Sequence, residues 1–414
     1  MSNKLIVLGS DVSGRTVGTL TKSLTTHTTI VGMTGSGKTG VVLGIVEELV
    51  RNQIPVVILD IKGDMSNIFL QSDPLLMSQI HPRVLTPGAS HGESVNVTSG
   101  LSSPNRTSEA VTSLLNLIDV NSDPIKSRQH AYISAILSNR HKKNQPCRLL
   151  DLVIAVQEPP FKHIGAMPLD EVMGKAARKT LAAHLNNVLV APSFAHWREG
   201  VALDLKALIT SPSVTKTPVV VYTIAHLTNE DERNFAISLL FEEAVAHMRS
   251  MGGSDELKLA FVVDECFGLM PPKGNSATKT ALLTLLKQGR AMGLGVILAT
   301  QNPMDLDYKG MANCATWIIG RLQTDNDRRR LVEGVCNAVP GLERKQLTEQ
   351  VGALSPRQFL LAKGNTLAPY YTRETTCNLK GPMDSHEISA IVGSNRAVKQ
   401  AEESVLSRMR RVFS

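Results

Sequence analysis

Gly32-Met33-Thr34-Gly35-Ser36-Gly37-Lys38-Thr39 has the make-up of a phosphate cradle. Glycines accept left-handed backbone and let successive N–H groups converge on phosphate oxygens. Lys38 then stands where an ammonium would bridge the β- and γ-phosphates, and Thr39 where a hydroxyl would ligate Mg2+. The apolar run Thr29-Ile30-Val31 precedes this segment, and a helix-compatible run from Lys38 to Arg51 follows it. Strand, glycine-rich loop and helix N-terminus in that order define a nucleotide-binding turn, because the helix dipole adds to the field of the amides. Residues Gly32 to Gly40 are therefore the expected ATP-binding segment, with Mg2+ as the companion ion.

Leu259-Ala260-Phe261-Val262-Val263-Asp264-Glu265 carries the complementary chemistry. A buried strand that ends in adjacent carboxylates is costly unless they have work to do. Asp264 suits a carboxylate that holds the metal through water, and Glu265 a base that polarises the attacking water; alone, the pair would read equally as an acidic helix cap. Gln301 ends the apolar run Gly295 to Ala299. It either contacts the γ-phosphate or lytic water, or is satisfied by nearby backbone. Arg290 ends the helix before that run, as a cation at a helix C-terminus or as a group acting on the nucleotide of a neighbouring subunit. Arg321, backed by Arg328, Arg329 and Arg330, is a second candidate for that role, with a solvated helical face as the alternative for the arginine run. Lys62-Gly63-Asp64 follows another strand-like run and is expected to line the site, since ligands of open α/β sheets bind at the carboxyl edge.

These residues need a sheet to hold them. Apolar runs recur at Thr28 to Val31, Pro55 to Leu59, Arg83 to Leu85, Pro218 to Ile224, Leu259 to Val263, Gly295 to Ala299, Thr316 to Ile319 and Gln358 to Leu361. Several are continuous rather than alternating, as in strands buried on both faces of a parallel sheet. Helical spacing lies between them, as in Ile237, Leu240, Phe241, Ala244, Val245 and Met248. The expected fold class is α/β with a mostly parallel central sheet. Residues 1–101 and 213–384 form its two parts, 102–212 a helical insertion, and 385–414 a C-terminal basic helix ending in Arg408, Arg410 and Arg411.

The formal charge of +7 is compatible with nucleic-acid binding, while only 4% aromatic residues disfavours stacking platforms for single strands. Five scattered cysteines without C-x-x-C spacing suggest neither a zinc site nor a disulfide framework, which makes a reducing cytoplasm the expectation. No apolar stretch reaches the roughly 18 residues of a membrane span, so a membrane role would have to come through a partner.

The blocks TTHTTIVGMTGSGKTG, VVILDIKGDMSNI, FVVDE and LLKQGRAMGLGVILATQNPMDLDYKGMANCATWIIGRLQTDNDRRRL resemble the HerA/FtsK superfamily, most closely bacterial HerA-like proteins with a DUF87-type core. The resemblance runs from about Leu24 to Pro382. It implies a RecA-like P-loop fold, a hexameric ring with ATP between subunits, and turnover that drives movement along double-stranded DNA. By position, Lys38 and Thr39 match Walker A, Asp264 and Glu265 match Walker B, Gln301 matches the sensor, and Arg290 matches an arginine able to act in trans. Only about thirty residues precede the P-loop, which leaves no room for the partner-docking β-barrel of HerA proteins, and no winged-helix tail is recognisable. The resemblance thus implies a DNA translocase or helicase-like motor working with a nuclease or other effector, in antiviral defence or DNA-end processing. It also fits a hexameric ATP-dependent assembly platform with little translocation, or a conjugative coupling or secretion ATPase.

Overall fold

The computed structural model describes residues 4–393 other than 103, 105, 106, 212, 267, 271–275, 302–306 and 340. They form two compact units. The first holds the described residues up to Leu85, Leu205–Ala225 and those from Ala244 onward; the second holds Thr86–Asp204 and His226–Glu243.

The first unit is built on one sheet. Its strands are β1 (Leu5–Ser10), β2 (Thr16–Leu20), β3 (Thr28–Val31), β4 (Val56–Asp60), β5 (Ile80–Leu85), β6 (Thr217–Thr223), β7 (Leu259–Asp264), β8 (Leu294–Thr300), β9 (Thr316–Ile319), β10 (Gln358–Lys363) and β11 (Thr366–Thr372). They lie in the order β2-β1-β11-β10-β9-β3-β8-β7-β4-β6-β5. From β9 to β5 every pairing is parallel, and from β9 to β2 every pairing is antiparallel. Strands β3, β4, β6, β7 and β8 are buried along their whole length, which explains the continuous apolar stretches within β4, β6, β7 and β8.

Each apolar run singled out in the sequence is a strand. Strands β1, β2 and β11 were not among those runs. β2 is a short Thr/Gly segment and β11 carries Pro369 with side chains that are half-buried or exposed except for Tyr370, so neither has a core-strand pattern. The β1–β2 turn is closed by Asp11, whose carboxylate accepts from the Ser13 and Arg15 amides at 2.8 and 3.0 Å.

The main helices are α1 (Lys38–Arg51), α2 (Thr107–Leu117), α3 (Arg128–Lys142), α4 (Leu149–Gln157), α5 (Lys175–Val190), α6 (Glu230–Ser250), α7 (Ala277–Met292), α8 (Asp325–Ala338) and α9 (Arg344–Gly352). In the second unit, α2 to α5 enclose a core that includes Leu115, Tyr132, Ile136, Leu152 and Leu185. The Tyr132 hydroxyl is satisfied by the Val156 carbonyl at 2.8 Å. This unit is wider than the expected insertion of 102–212. Trp197 packs on Phe235 at 5.3 Å, and His226 Nε2 lies 2.8 Å from the Pro87 carbonyl oxygen, so segments on both sides of the helices are recruited. Gly88 passes Trp197 with φ +72°, where a Cβ would sit 2.4 Å from the indole nitrogen.

Of the expected C-terminal helix, 385–393 is helical and starts with a capping box between Asp384 and Glu387. Ile388 and Val392 join the sheet core. Val398 to Arg411 lie outside the described residues.

Helix α1, which follows the glycine loop, is held by a buried charge. Glu47 is fully buried, yet Arg373 Nη1 lies 2.8 Å from Oε2, and Oε1 accepts from the Thr376 and Cys377 amides at 2.8 and 3.1 Å. The same guanidinium donates to the Gly44 carbonyl at 2.7 Å. Removing one partner of such a buried pair leaves the other charge uncompensated. Glu47→Ala is expected to cost about 3–5 kcal/mol of stability, read from the urea midpoint, and Glu47→Gln less because an acceptor oxygen remains. A cost below about 1 kcal/mol would mean that the pair is not what ties α1 down.

Candidate functional site

The glycine loop turns between β3 and α1 with Gly35 at φ +77° and Gly37 at φ +95°, both in the left-handed region. Gly32 has no space for a side chain, since a Cβ would meet Ser36 Oγ at 2.6 Å. The loop is tied to the strands on either side of β3: the Gly32 amide donates to Thr300 at the end of β8, and the Met33 amide to the Arg321 carbonyl beyond β9. Gly37 is the N-cap of α1 and no side chain caps the helix, which leaves its first turn to an anion. Lys38 is buried and folds back so that Nζ donates to the Gly32 carbonyl at 3.4 Å. Burial lowers its pKa, against the attraction of Glu265.

Parallel pairing decides which carboxylates meet. Asp264 at the end of β7 is directly opposite Asp60 at the end of β4, so both side chains leave the same face of the carboxyl edge. Asp64 joins them, and carboxylate oxygens of all three lie within 4.8 Å of one another. The Asp60 carboxylate is fixed by the Gly63 and Met65 amides at 2.7 and 3.3 Å. Burial raises the Asp64 pKa, while the charges of Lys62 and Lys38 and the nearby Thr39 hydroxyl draw it down, which puts the end of the glycine loop near the acidic cluster. Burial and the Asp264 charge push Asp60 up to about 8, and burial and the Asp64 charge raise Asp264. One buried oxygen each of Asp64 and Asp264 has no hydrogen-bond partner. Hard oxygen donors with unsatisfied charge fit Mg2+, which Thr39 and Asp264 would hold with Asp64 beside them.

Glu265 follows Asp264 with φ +81°, a left-handed conformation that is strained for a glutamate. Its carboxylate is set by Lys62 Nζ at 2.8 Å and by the Thr300 hydroxyl at 3.3 Å. Burial raises its pKa, but the Lys62 hydrogen bond and the charges of Lys38 and Lys62 outweigh burial and leave the group below its usual range.

Strand β8 lies between β3 and β7, so Gln301 emerges between the glycine loop and the acidic pair, and its Oε1 accepts from Thr34 Oγ1 at 2.6 Å. Arg321 is exposed and touches the loop through its backbone carbonyl. Arg290 is not brought to this edge. It is exposed in the last turn of α7 near His27, which precedes β3, and so lies at the amino edge, about 10 Å or more from the loop. Buried His27 links the two elements: its Nδ1 accepts from the Val296 amide at 3.0 Å, which leaves Nε2–H to donate to the Leu286 carbonyl at 2.9 Å. Burial pulls this imidazole down to about 4.

The sequence reading missed Asp60 and the specific partnership of Lys62. A signal for Asp60 was present, since VVILD ends in a carboxylate as FVVDE does, and neighbouring parallel strands bring such ends together.

Residues 9–218 match the family model described as the central domain of helicase HerA. The chain is 20% identical over 308 residues to the probable helicase MJ1565 of Methanocaldococcus jannaschii, covering 74% of this chain and 54% of that protein. It therefore spans about half the length of this curated relative. VirB4 of Thermoanaerobacter pseudethanolicus superposes with a TM-score of 0.60 at 14% identity, over 91% of this chain and 98% of that one. The plasmid coupling protein TrwB, in complex with the non-hydrolysable ATP analogue ADPNP, gives 0.57 at 14% identity, over 91% of each chain. At such identities the likeness is one of fold, that of RecA-like P-loop ATPases.

The elevated Asp60 carboxyl has a measurable consequence. A carboxyl whose folded pKa is raised contributes a stability that is lost as pH climbs from the unfolded value toward the folded one. In Mg2+-free buffer, the melting temperature of the wild type should therefore fall relative to Asp60→Asn between about pH 5 and pH 8. Saturating Mg2+ should shrink the difference. Parallel profiles for the two proteins would remove Asp60 from the titrating cluster.

Proposed function

The chain belongs to the HerA helicase central-domain (DUF87) family, and from that premise we propose that it is an ATPase whose turnover drives movement along double-stranded DNA. The supporting observation is the meeting of two chain-distant segments at the end of β8: the Gly32 amide of the loop donates to the Thr300 carbonyl, the Thr300 hydroxyl donates to Glu265, and Lys38 feels the charges of Glu265 and Asp264. The amides of the glycine loop and Lys38 take the phosphates, Thr39 and Asp264 take Mg2+, and Glu265 orients the water. Mg2+ supplies charge neutralisation between the β- and γ-phosphates when bound. Gln301, tethered to Thr34, stands where it reports the terminal phosphate to the loop.

The working form in this reading is a hexameric homo-oligomer, and Arg290 serves the nucleotide of the adjacent subunit. Its exposed place at the amino edge supports action in trans, since its own glycine loop lies at the opposite edge. The net charge of +7 favours a polyanionic track. A nuclease or other effector partner, in antiviral defence or DNA-end processing within the cytoplasm, completes the proposal.

Lys38→Ala should lose nucleotide binding. Glu265→Gln should keep it and lose turnover by about 10²-fold or more. Arg290→Ala should bind ATP as the wild type does and lose turnover by about 10³-fold. Duplex DNA should stimulate the ATPase severalfold, with an affinity that drops steeply as salt rises. ATP-dependent rings whose ATPase ignores duplex DNA would instead favour the assembly platform, and normal hydrolysis by Lys38→Ala would end the site assignment.

A further inference from the structure

The proposed site holds a second lysine that the phosphate cradle does not use. Lys62 stands on the loop after β4, with Nζ 2.8 Å from Glu265 Oε2. The backbone beneath it is pinned: the Gly63 amide donates to Asp60, the Gly63 carbonyl accepts from the Met383 amide at 3.1 Å, and Gly63 itself sits at φ +91° against Ala225 and Pro382. The side chain above is 37% exposed, whereas that of Glu265 is 10% exposed. A rigid base thus carries a lysine with freedom to move, paired to a carboxylate that has little.

That pairing conflicts with the work of Glu265. A base that accepts a proton from water needs a free lone pair, and an ammonium on Oε2 both occupies one and lowers its basicity. The other oxygen already accepts from Thr300. The attacking water must lie about 3 Å from the carboxylate and a similar distance from the terminal phosphorus. Lys62 Nζ is therefore at most about 9 Å from the place of the terminal phosphorus; a P–O bond and a hydrogen bond cover about 4 Å of that, which leaves a shift of about 5 Å that a few side-chain rotations span. A terminal phosphate carries more charge than a carboxylate and offers three acceptor oxygens, so it competes well for the ammonium.

We propose that Lys62 reads the γ-phosphate: with the site empty or holding ADP it clasps Glu265, and a triphosphate draws it onto a γ-oxygen and frees the carboxylate to polarise water. The inference rests on the ATPase reading. It assigns Lys38 to retaining any nucleotide and Lys62 to telling triphosphate from diphosphate.

The test is a pair of titrations in Mg2+, with a fluorescent non-hydrolysable ATP analogue and with fluorescent ADP, on the wild type, Lys62→Gln, Lys62→Met and Lys62→Arg. The neutral variants should lose about tenfold or more in affinity for the triphosphate and less than about twofold for ADP, while Lys62→Arg keeps most of the discrimination. Melting temperatures close to the wild type would show that the variants are folded. Equal losses for both nucleotides would make Lys62 a structural partner of Glu265 only, and unchanged affinities would remove it from the site. Either result overturns the inference. A wild type that binds neither nucleotide would instead end the ATPase reading beneath it.

Discussion

Asp60 and Asp264 end neighbouring parallel strands in register, and nothing in the backbone lets them move apart. Carboxylate oxygens within 4.8 Å, at the effective dielectric of about 20 that suits protein sites, repel by roughly 3 kcal/mol, and Asp64 adds a third charge to the cluster. Both strands are buried along their length, so the sheet cannot splay to relieve this without opening its core. Relief has to come from a proton, a cation or both. The upward shift of all three carboxyls is the proton's share. The unpartnered oxygens of Asp64 and Asp264 mark where a cation would take over.

The same constraint orders the events of binding in the proposed ATPase. Four carboxyls, counting Glu265, face two lysines, so this edge escapes excess negative charge only while some of them hold protons. A bare triphosphate would bring more. Its entry is favourable only together with a divalent ion that the acidic cluster can share, which makes Mg·ATP rather than ATP the natural ligand. Lys38, drawn inward onto the Gly32 carbonyl, and Lys62, drawn onto Glu265, occupy makeshift acceptors that a phosphate would replace. The uncapped start of α1 does the same for the amides.

Much of this was legible in the sequence because the relevant strands are buried on both faces and so write their positions as unbroken apolar runs. The glycine loop was legible for a different reason: Gly32, Gly35 and Gly37 each answer a steric or dihedral demand that only glycine meets. Strands β1, β2 and β11 lie toward the antiparallel edge, where half-exposed sequences containing Thr, Gly and Pro carry no such signature. The extent of the helical unit was hidden because aromatic packing of Trp197 against Phe235, not composition, draws its margin. Asp60 went unnoticed because strand neighbourhood is not a property of one strand's sequence. Only the pairing of β4 with β7 turns a strand-terminal aspartate into a member of a cluster.

Strand neighbourhood also sets where Arg290 lies. His27, at φ +59°, closes the amino end of β3 by joining Leu286 of α7 to β8 through two hydrogen bonds, and burial keeps the ring neutral so that it can both donate and accept. Gly289 packs against that ring, where a Cβ would lie 3.3 Å from it. The other end of β3 is the glycine loop. A strand only four residues long therefore connects the phosphate cradle at one edge of the sheet to an outward-facing arginine at the other. This short strand is fully buried and closely packed, and His27 is where its amino end meets α7. In the proposed ring, this packed connection would join one subunit's phosphate cradle to the arginine that it offers its neighbour.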